Sequence, residues 1–125
     1  MRYIKILIIS IFVLSISSPS QAQRGANKPD KKAPTVPTNL SASAISPTEI
    51  HLSWTASTDN IGIKDYRLEN CWGSGCTNFG QIAILTSTSF SDTGLSPNTL
   101  YRYRARASNV TGNLSVYSNI SLGKQ

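Results

Sequence analysis

The sequence predicts an all-β protein, a seven-stranded sandwich, and three observations carry that prediction. Residues 94–107, GLSPNTLYRYRARA, place Tyr101, Tyr103, Ala105 and Ala107 on one side of a strand and Arg102, Arg104 and Arg106 on the other. From Leu40 onward no helical periodicity is present. Short apolar runs are instead separated by turn residues at the spacing of a sandwich.

The first strand is expected at residues 38–44, before a turn at Ser46-Pro47. The second, residues 49–55, alternates cleanly: Ile50, Leu52 and Trp54 face inward while Glu49, His51 and Ser53 face outward, with Trp54 as core anchor. A polar connection, in which Asp59 and Asn60 shape the turn through side-chain to backbone bonds, leads to a third strand at residues 65–70. There Tyr66 and Leu68 point inward, and Arg67 and Glu69 outward. A hairpin carrying Cys71 and Cys76 turns into a fourth strand at 81–85, and a fifth at 87–91 carries Phe90 inward. The sixth spans 99–108, and the seventh, after the turn Thr111-Gly112-Asn113, spans 115–122.

Ahead of the domain, Arg2 and Lys5 precede an apolar run at residues 6–16, and Ser20 and Ala22 supply the small residues of a cleavage site after Ala22. Residues 1–22 therefore read as a signal peptide. As a helix, the apolar run would rise only about 16 Å against a hydrocarbon core of about 30 Å, so no membrane span is expected after cleavage. Residues 23–33 read as a flexible basic tether, in a proline-containing stretch that includes Pro29, Pro34 and Pro37 and has little to bury. Residues 34–125 form the domain. The formal charge of +6 belongs mostly to the leader and tether, since the domain sets Lys64, Arg67, Arg102, Arg104, Arg106 and Lys124 against five acidic residues. Nucleic acid is not an expected partner of such a chain. In an exported chain Cys71 and Cys76 are expected to form a disulfide, whose six-residue ring contributes about 2 kcal/mol and fixes the hairpin. Two cysteines and one distant histidine do not make a metal site, and no cofactor is expected.

The second-strand tryptophan in EIHLSW, the third-strand tyrosine in DYRLE and the motif GLSPNTLYRYRARA followed by SNVTGNLS resemble a fibronectin type III domain. The segment SWTASTDNIGIKDYRLE with its paired-cysteine hairpin is similar to the bacterial branch of that family, whose copies often accompany secreted polysaccharide-degrading enzymes. The resemblance implies an immunoglobulin-like sandwich with strands one, two and five packed on strands four, three, six and seven, and Trp54, Tyr66 and Tyr103 between the sheets. Tyr101, six residues after Leu95 and beyond Pro97, fits the tyrosine corner of such sandwiches, its hydroxyl reaching a backbone group upstream.

No residue set reads as catalytic. His51, Glu49 and Ser53 share the outer face of one strand at intervals of about 7 Å, too far apart for a hydrogen-bonded relay. The carboxylates are scattered and lack the apolar setting that would raise their pKa values. Two surface features remain. Arg102, Arg104 and Arg106, with Arg67 adjacent, form either a track for a linear anionic polymer or, the preferred reading, a solvated face partly compensated by Glu69. Trp72, at the hairpin, either stacks on a sugar ring or a partner protein or, the preferred reading, folds back over the disulfide or against Phe79. The expected function is that of a secreted or periplasmic, monomeric, non-catalytic binding module for a polysaccharide or a cell-surface protein. The alternative is a spacer or the remnant of a larger polysaccharide-degrading enzyme.

Overall fold

A computed structural model describes residues 28–125; the signal-peptide reading of residues 1–22 and the first part of the tether lie outside the described residues. Seven strands follow in chain order: β1 (Thr38–Ser46), β2 (Glu49–Thr55), β3 (Ile63–Trp72), β4 (Gly80–Leu85), β5 (Ser89–Asp92), β6 (Leu100–Asn109) and β7 (Ser121–Lys124). They form a three-stranded sheet ordered β1-β2-β5 and a four-stranded sheet ordered β4-β3-β6-β7, with every pairing antiparallel. The sheet partition is the one implied by the sequence resemblance. Strand β3 is longer at both ends than expected, because residues 63–72 pair continuously with β6 apart from one irregularity near its start.

The core lies between the sheets. Ile50, Leu52 and Trp54 of β2 meet Tyr66 and Leu68 of β3 and Tyr101, Tyr103, Ala105 and Ala107 of β6, all buried. The indole of Trp54 packs edge-on against Tyr66, ring centroids 5.6 Å apart, an arrangement that suits the opposed charge of ring edge and ring face. Tyrosine hydroxyls at the margins of the core find polar partners. Tyr101 Oη accepts the Ser96 backbone N–H at 2.9 Å, which is the expected corner, with Leu95 packed against the core beside it. Tyr66 Oη accepts the Ser57 N–H at 2.9 Å. Tyr103 Oη donates to Asp92 of the facing sheet at 2.7 Å, and burial together with that carboxylate drives its pKa far above the ordinary phenol value.

The seventh strand departs from expectation. Residues 115–120 run beside β6 without forming a regular ladder, and serine side chains replace the missing carbonyls. Ser115 N–H donates to the Ala107 carbonyl while Ala107 N–H donates to Ser115 Oγ, both at 2.9 Å. Ser118 repeats the device with Ala105. Asn119 then crosses to the other sheet, its amide accepting the Leu40 N–H and donating to the Leu40 carbonyl, each at 3.0 Å. Leu40 is free to make that pair because a bulge at Asn39, whose φ is 56°, shifts the register of β1 against β2. Regular pairing resumes only at Ser121.

The proline-containing lead-in also differs from its reading as a segment with little to bury. Pro34 and Pro37 are buried, and Thr35 exchanges backbone and hydroxyl bonds with Thr58. The hub of this end of the sandwich is Asn109, fully buried. Its Nδ2 donates to the Lys32 carbonyl at 2.9 Å and to Asp59 at 3.3 Å, while its Oδ1 accepts the Thr111 and Asn113 N–H groups at 3.2 and 2.9 Å. Asp59 shapes its own turn as expected, accepting the Ile61 N–H at 3.0 Å.

Candidate binding surfaces

The arginine row occupies the outer face of the four-stranded sheet, and its charges are largely committed within the domain. Arg104 pairs with the buried carboxylate of Glu69 at 2.8 Å, and Tyr117 donates its hydroxyl to the other oxygen of Glu69 at 2.7 Å. Desolvation and this hydrogen bond to Glu69 raise the Tyr117 pKa, opposed by Arg106 and Arg104. The Arg104 guanidinium lies 3.7 Å from the Tyr117 ring centroid and 4.2 Å from that of Phe79, so it is held between two aromatic rings. Arg106 lies over the Tyr117 ring at 4.6 Å. Arg102 donates to the Cys76 carbonyl and approaches the Phe79 ring, and Arg67 pairs with Asp65 at 2.9 Å. Among the described residues only Arg106 keeps a buried guanidinium nitrogen, Nε, without an acceptor.

Residues far apart in sequence assemble this stack, and Phe79 and Tyr117 were not identified as its members from sequence. Arg67, Arg104 and Arg106 share one face because β3 and β6 pair with Arg67 opposite Arg106 and Glu69 opposite Arg104. The resulting face is a braced layer of cation–π contacts more than an open cationic track.

Cys71 and Cys76 are joined by a disulfide, as expected. Trp72 does not fold over it. The ladder sets Trp72 opposite Tyr101 and Cys71 opposite Arg102, so paired side chains put Trp72 on the Tyr101 side of the sheet and the disulfide on the arginine side. Phe79 is already occupied by arginines on that other side. Trp72 is consequently 67% exposed, despite its place in a rigid ladder and despite a bond from the next residue, Gly73 N–H to the Leu100 carbonyl at 2.9 Å.

Beside the indole runs an open groove of about 500 Å³, lined by Asn70, Trp72, Ile82, Leu95, Ser96, Thr99 and Tyr101. Of these only Trp72 carried a functional expectation; Leu95 and Tyr101 were expected as structural residues of the core and its tyrosine corner. Asn70 continues the inward parity of Tyr66 and Leu68 past the edge of the core, a signal present in the sequence. Ile82 reaches the groove through the β4 bulge opposite Leu68 and Glu69, which alternation does not reveal. Among the described residues, no charged side chain lines the groove.

His51 lies exposed on the outer face of the three-stranded sheet, where its Nδ1 meets Ser91 Oγ of β5 at 3.4 Å. Ser91 is its neighbour across the ladder, and Glu49 and Ser53 stay two positions away along β2. The carboxylates of Asp65, Glu69 and Asp92 are held by Arg67, by Arg104 with Tyr117, and by Tyr103 with Asn70.

Two antiparallel sheets in this order, closed by a tyrosine corner, define an immunoglobulin-like sandwich module. The chain matches the model of the fibronectin type III domain over residues 35–122 and belongs to that family. Among relatives, exoglucanase B of Cellulomonas fimi is 44% identical over 94 residues, 75% of this chain and 8% of that protein. An alpha-amylase of Niallia circulans is 41% identical over 90 residues, 72% of this chain and 6% of that protein. Chitinase A1 of Niallia circulans is 36% identical over 105 residues, 84% of this chain and 14% of that protein. This chain thus matches a small part of each. Among solved structures, a fibronectin type III-like protein from Clostridium thermocellum aligns with a TM-score of 0.63 at 31% identity, over 73% of this chain and 92% of that one. Domains from titin align with a TM-score of 0.65 at 26% identity, over 74% of this chain and 32% of that one.

Proposed function

We propose that this chain is an exported, non-catalytic module that works by contact with polysaccharide. The observation that carries the reading is the company of the matched segment. It recurs in an exoglucanase, an alpha-amylase and a chitinase, where it fills 8%, 6% and 14% of the length. A segment common to enzymes named for different reactions is not what selects the reaction; what those proteins share by name is a polymeric sugar substrate. The side chains support the same conclusion. A general acid or base needs a carboxylate or histidine facing a substrate-sized pocket, whereas Asp65, Glu69 and Asp92 are held by internal partners and His51 lies on an exposed sheet face. The disulfide at Cys71–Cys76 suits an oxidising compartment, and the leader at residues 1–22 supplies the route to it.

The test is retention of the exported chain on insoluble cellulose, chitin and starch, with released reducing sugar measured in parallel. The expected result is retention on at least one polymer without release of sugar. Full recovery in the supernatant from all three would leave a spacer as the function and overturn the contact reading; sugar release that tracks the pure chain would overturn its non-catalytic part.

A further inference from the structure

We infer that the groove beside Trp72 is a stacking site for the pyranose rings of a neutral polysaccharide. This deepens the proposed function and rests on it for the choice of polymer; the site itself rests on three features of the structure.

The first is a flat apolar platform carried on a hydrogen-bonded backbone. Trp72 exposes two thirds of its surface, yet its backbone is paired with Tyr101 in the sheet, its predecessor Cys71 is buried and disulfide-bonded, and its successor Gly73 is bonded to Leu100. An exposed aromatic normally loses side-chain and loop freedom on binding; here the loop is already ordered, which lowers that cost. One face of a pyranose ring presents C–H groups, and these pack on an indole face.

The second is the set of polar groups around the platform. Asn70, Ser96 and Thr99 join the groove in which Ile82, Leu95 and Tyr101 supply the apolar wall. Asn70 Nδ2 already donates to Asp92 at 3.3 Å and the Thr99 hydroxyl to the Pro97 carbonyl at 3.0 Å, which leaves their oxygens as acceptors for a sugar. A sugar ring has the complementary make-up, an apolar face edged by hydroxyls that both donate and accept. The groove's volume of about 500 Å³ is that of a ligand site, and its open form admits a chain passing through without requiring a chain end.

The third is the separation of charge. Because Trp72 and Cys71 point to opposite sides of β3, the groove faces away from Arg102, Arg104 and Arg106, and among the described residues no ionisable acid or base other than the Tyr101 phenol lines it. That phenol is occupied by Ser96. An anionic polymer would gain no counter-charge in this groove, and a neutral one forgoes none.

The test uses the exported chain with cellohexaose and chitohexaose as soluble neutral probes, and polygalacturonate as an anionic one. Trp54 is buried and Trp72 exposed, so a blue shift of tryptophan emission on titration reports Trp72. The expected result is saturable binding of at least one neutral probe, weakened about ten-fold or more in Trp72→Ala, as for a central aromatic contact. Trp72→Phe should recover part of the loss, and Arg106→Ala should leave binding unchanged. Equal melting temperatures of the variants exclude misfolding. Binding to a neutral probe, or retention on an insoluble polymer, that survives Trp72→Ala would overturn this site while leaving the polysaccharide-contact function standing. Preference for polygalacturonate, lost in Arg106→Ala, would move the site to the arginine face and overturn the inference. Absence of binding to every probe and insoluble polymer would overturn both.

Discussion

Replacing Asn109 by alanine should destabilise the domain more than any exposed substitution, and the structure sets the size of the loss. The side chain is fully buried and ties three segments: the lead-in at Lys32, the β2–β3 loop at Asp59, and the β6–β7 turn at Thr111 and Asn113. A buried hydrogen bond contributes about 1 kcal/mol net, and each polar group left buried without a partner costs about 1–3 kcal/mol. Part of the loss is recovered, because Thr111 is exposed, so its N–H can bond water, and the Lys32 carbonyl keeps a second donor in Asn113. The expected cost is about 3 kcal/mol, or roughly 12–24 °C in Tm for a domain of this size. Asn109→Asp should do no better. It keeps the acceptor for the two N–H groups but turns an oxygen toward the Lys32 carbonyl and places a second carboxylate beside Asp59. Thermal denaturation followed by circular dichroism measures the loss, and hydrogen exchange at residues 111–113 locates it. A loss under about 1 kcal/mol for alanine, or a wild-type Tm for aspartate, would refute the role of Asn109 as the hub.

Stability should fall in alkali because of Tyr103. Its folded pKa is raised, so its contribution is complete below the unfolded phenol value of about 10 and is lost as pH climbs above it, with a limiting slope of about 1.4 kcal/mol per pH unit. Chemical denaturation across that range should show the slope, reduced in Tyr103→Phe; the same slope in both proteins would contradict it. Gly123→Ala should destabilise by about 1–3 kcal/mol, since the new methyl would stand 2.6 Å from Ile50 Cδ1 in the core. Equilibrium urea unfolding checks this, and an unchanged midpoint would show that Ile50 yields without cost.

What could be read from the chain divides along a physical line. Strand β2 was legible to the residue because one face is buried and the other is not, which writes burial directly into alternation. The tyrosine corner was legible because donor and acceptor lie five residues apart. The end of the sandwich was not. Ser115, Ser118 and Asn119 take the place of backbone groups in holding the chain to β6 and β1, and nothing in a one-dimensional pattern distinguishes such residues from ordinary polar strand positions. Pro34 and Pro37 looked like linker residues by composition, although both are buried. The arginine row was visible, but its partners Phe79 and Tyr117 come from the β3–β4 hairpin and the stretch before β7, so its internal commitment was not. For Trp72, parity with Tyr66 and Leu68 held the answer. Treating it as the tip of a tight hairpin, not as the last residue of a long β3, concealed which side it faces.

The central claim is that polysaccharide contact occurs at the Trp72 end of the domain and not on its arginine face. Chemical-shift mapping of the isotope-labelled chain during titration with the neutral oligosaccharides tests it most directly. The account predicts the largest shifts at the Trp72 indole N–H, the Asn70 side-chain amide and the backbone amides of Ser96 and Thr99, with Arg67, Ile84 and Arg106 unmoved. Shifts centred on Arg106 and Tyr117, or none at saturating oligosaccharide, would contradict it.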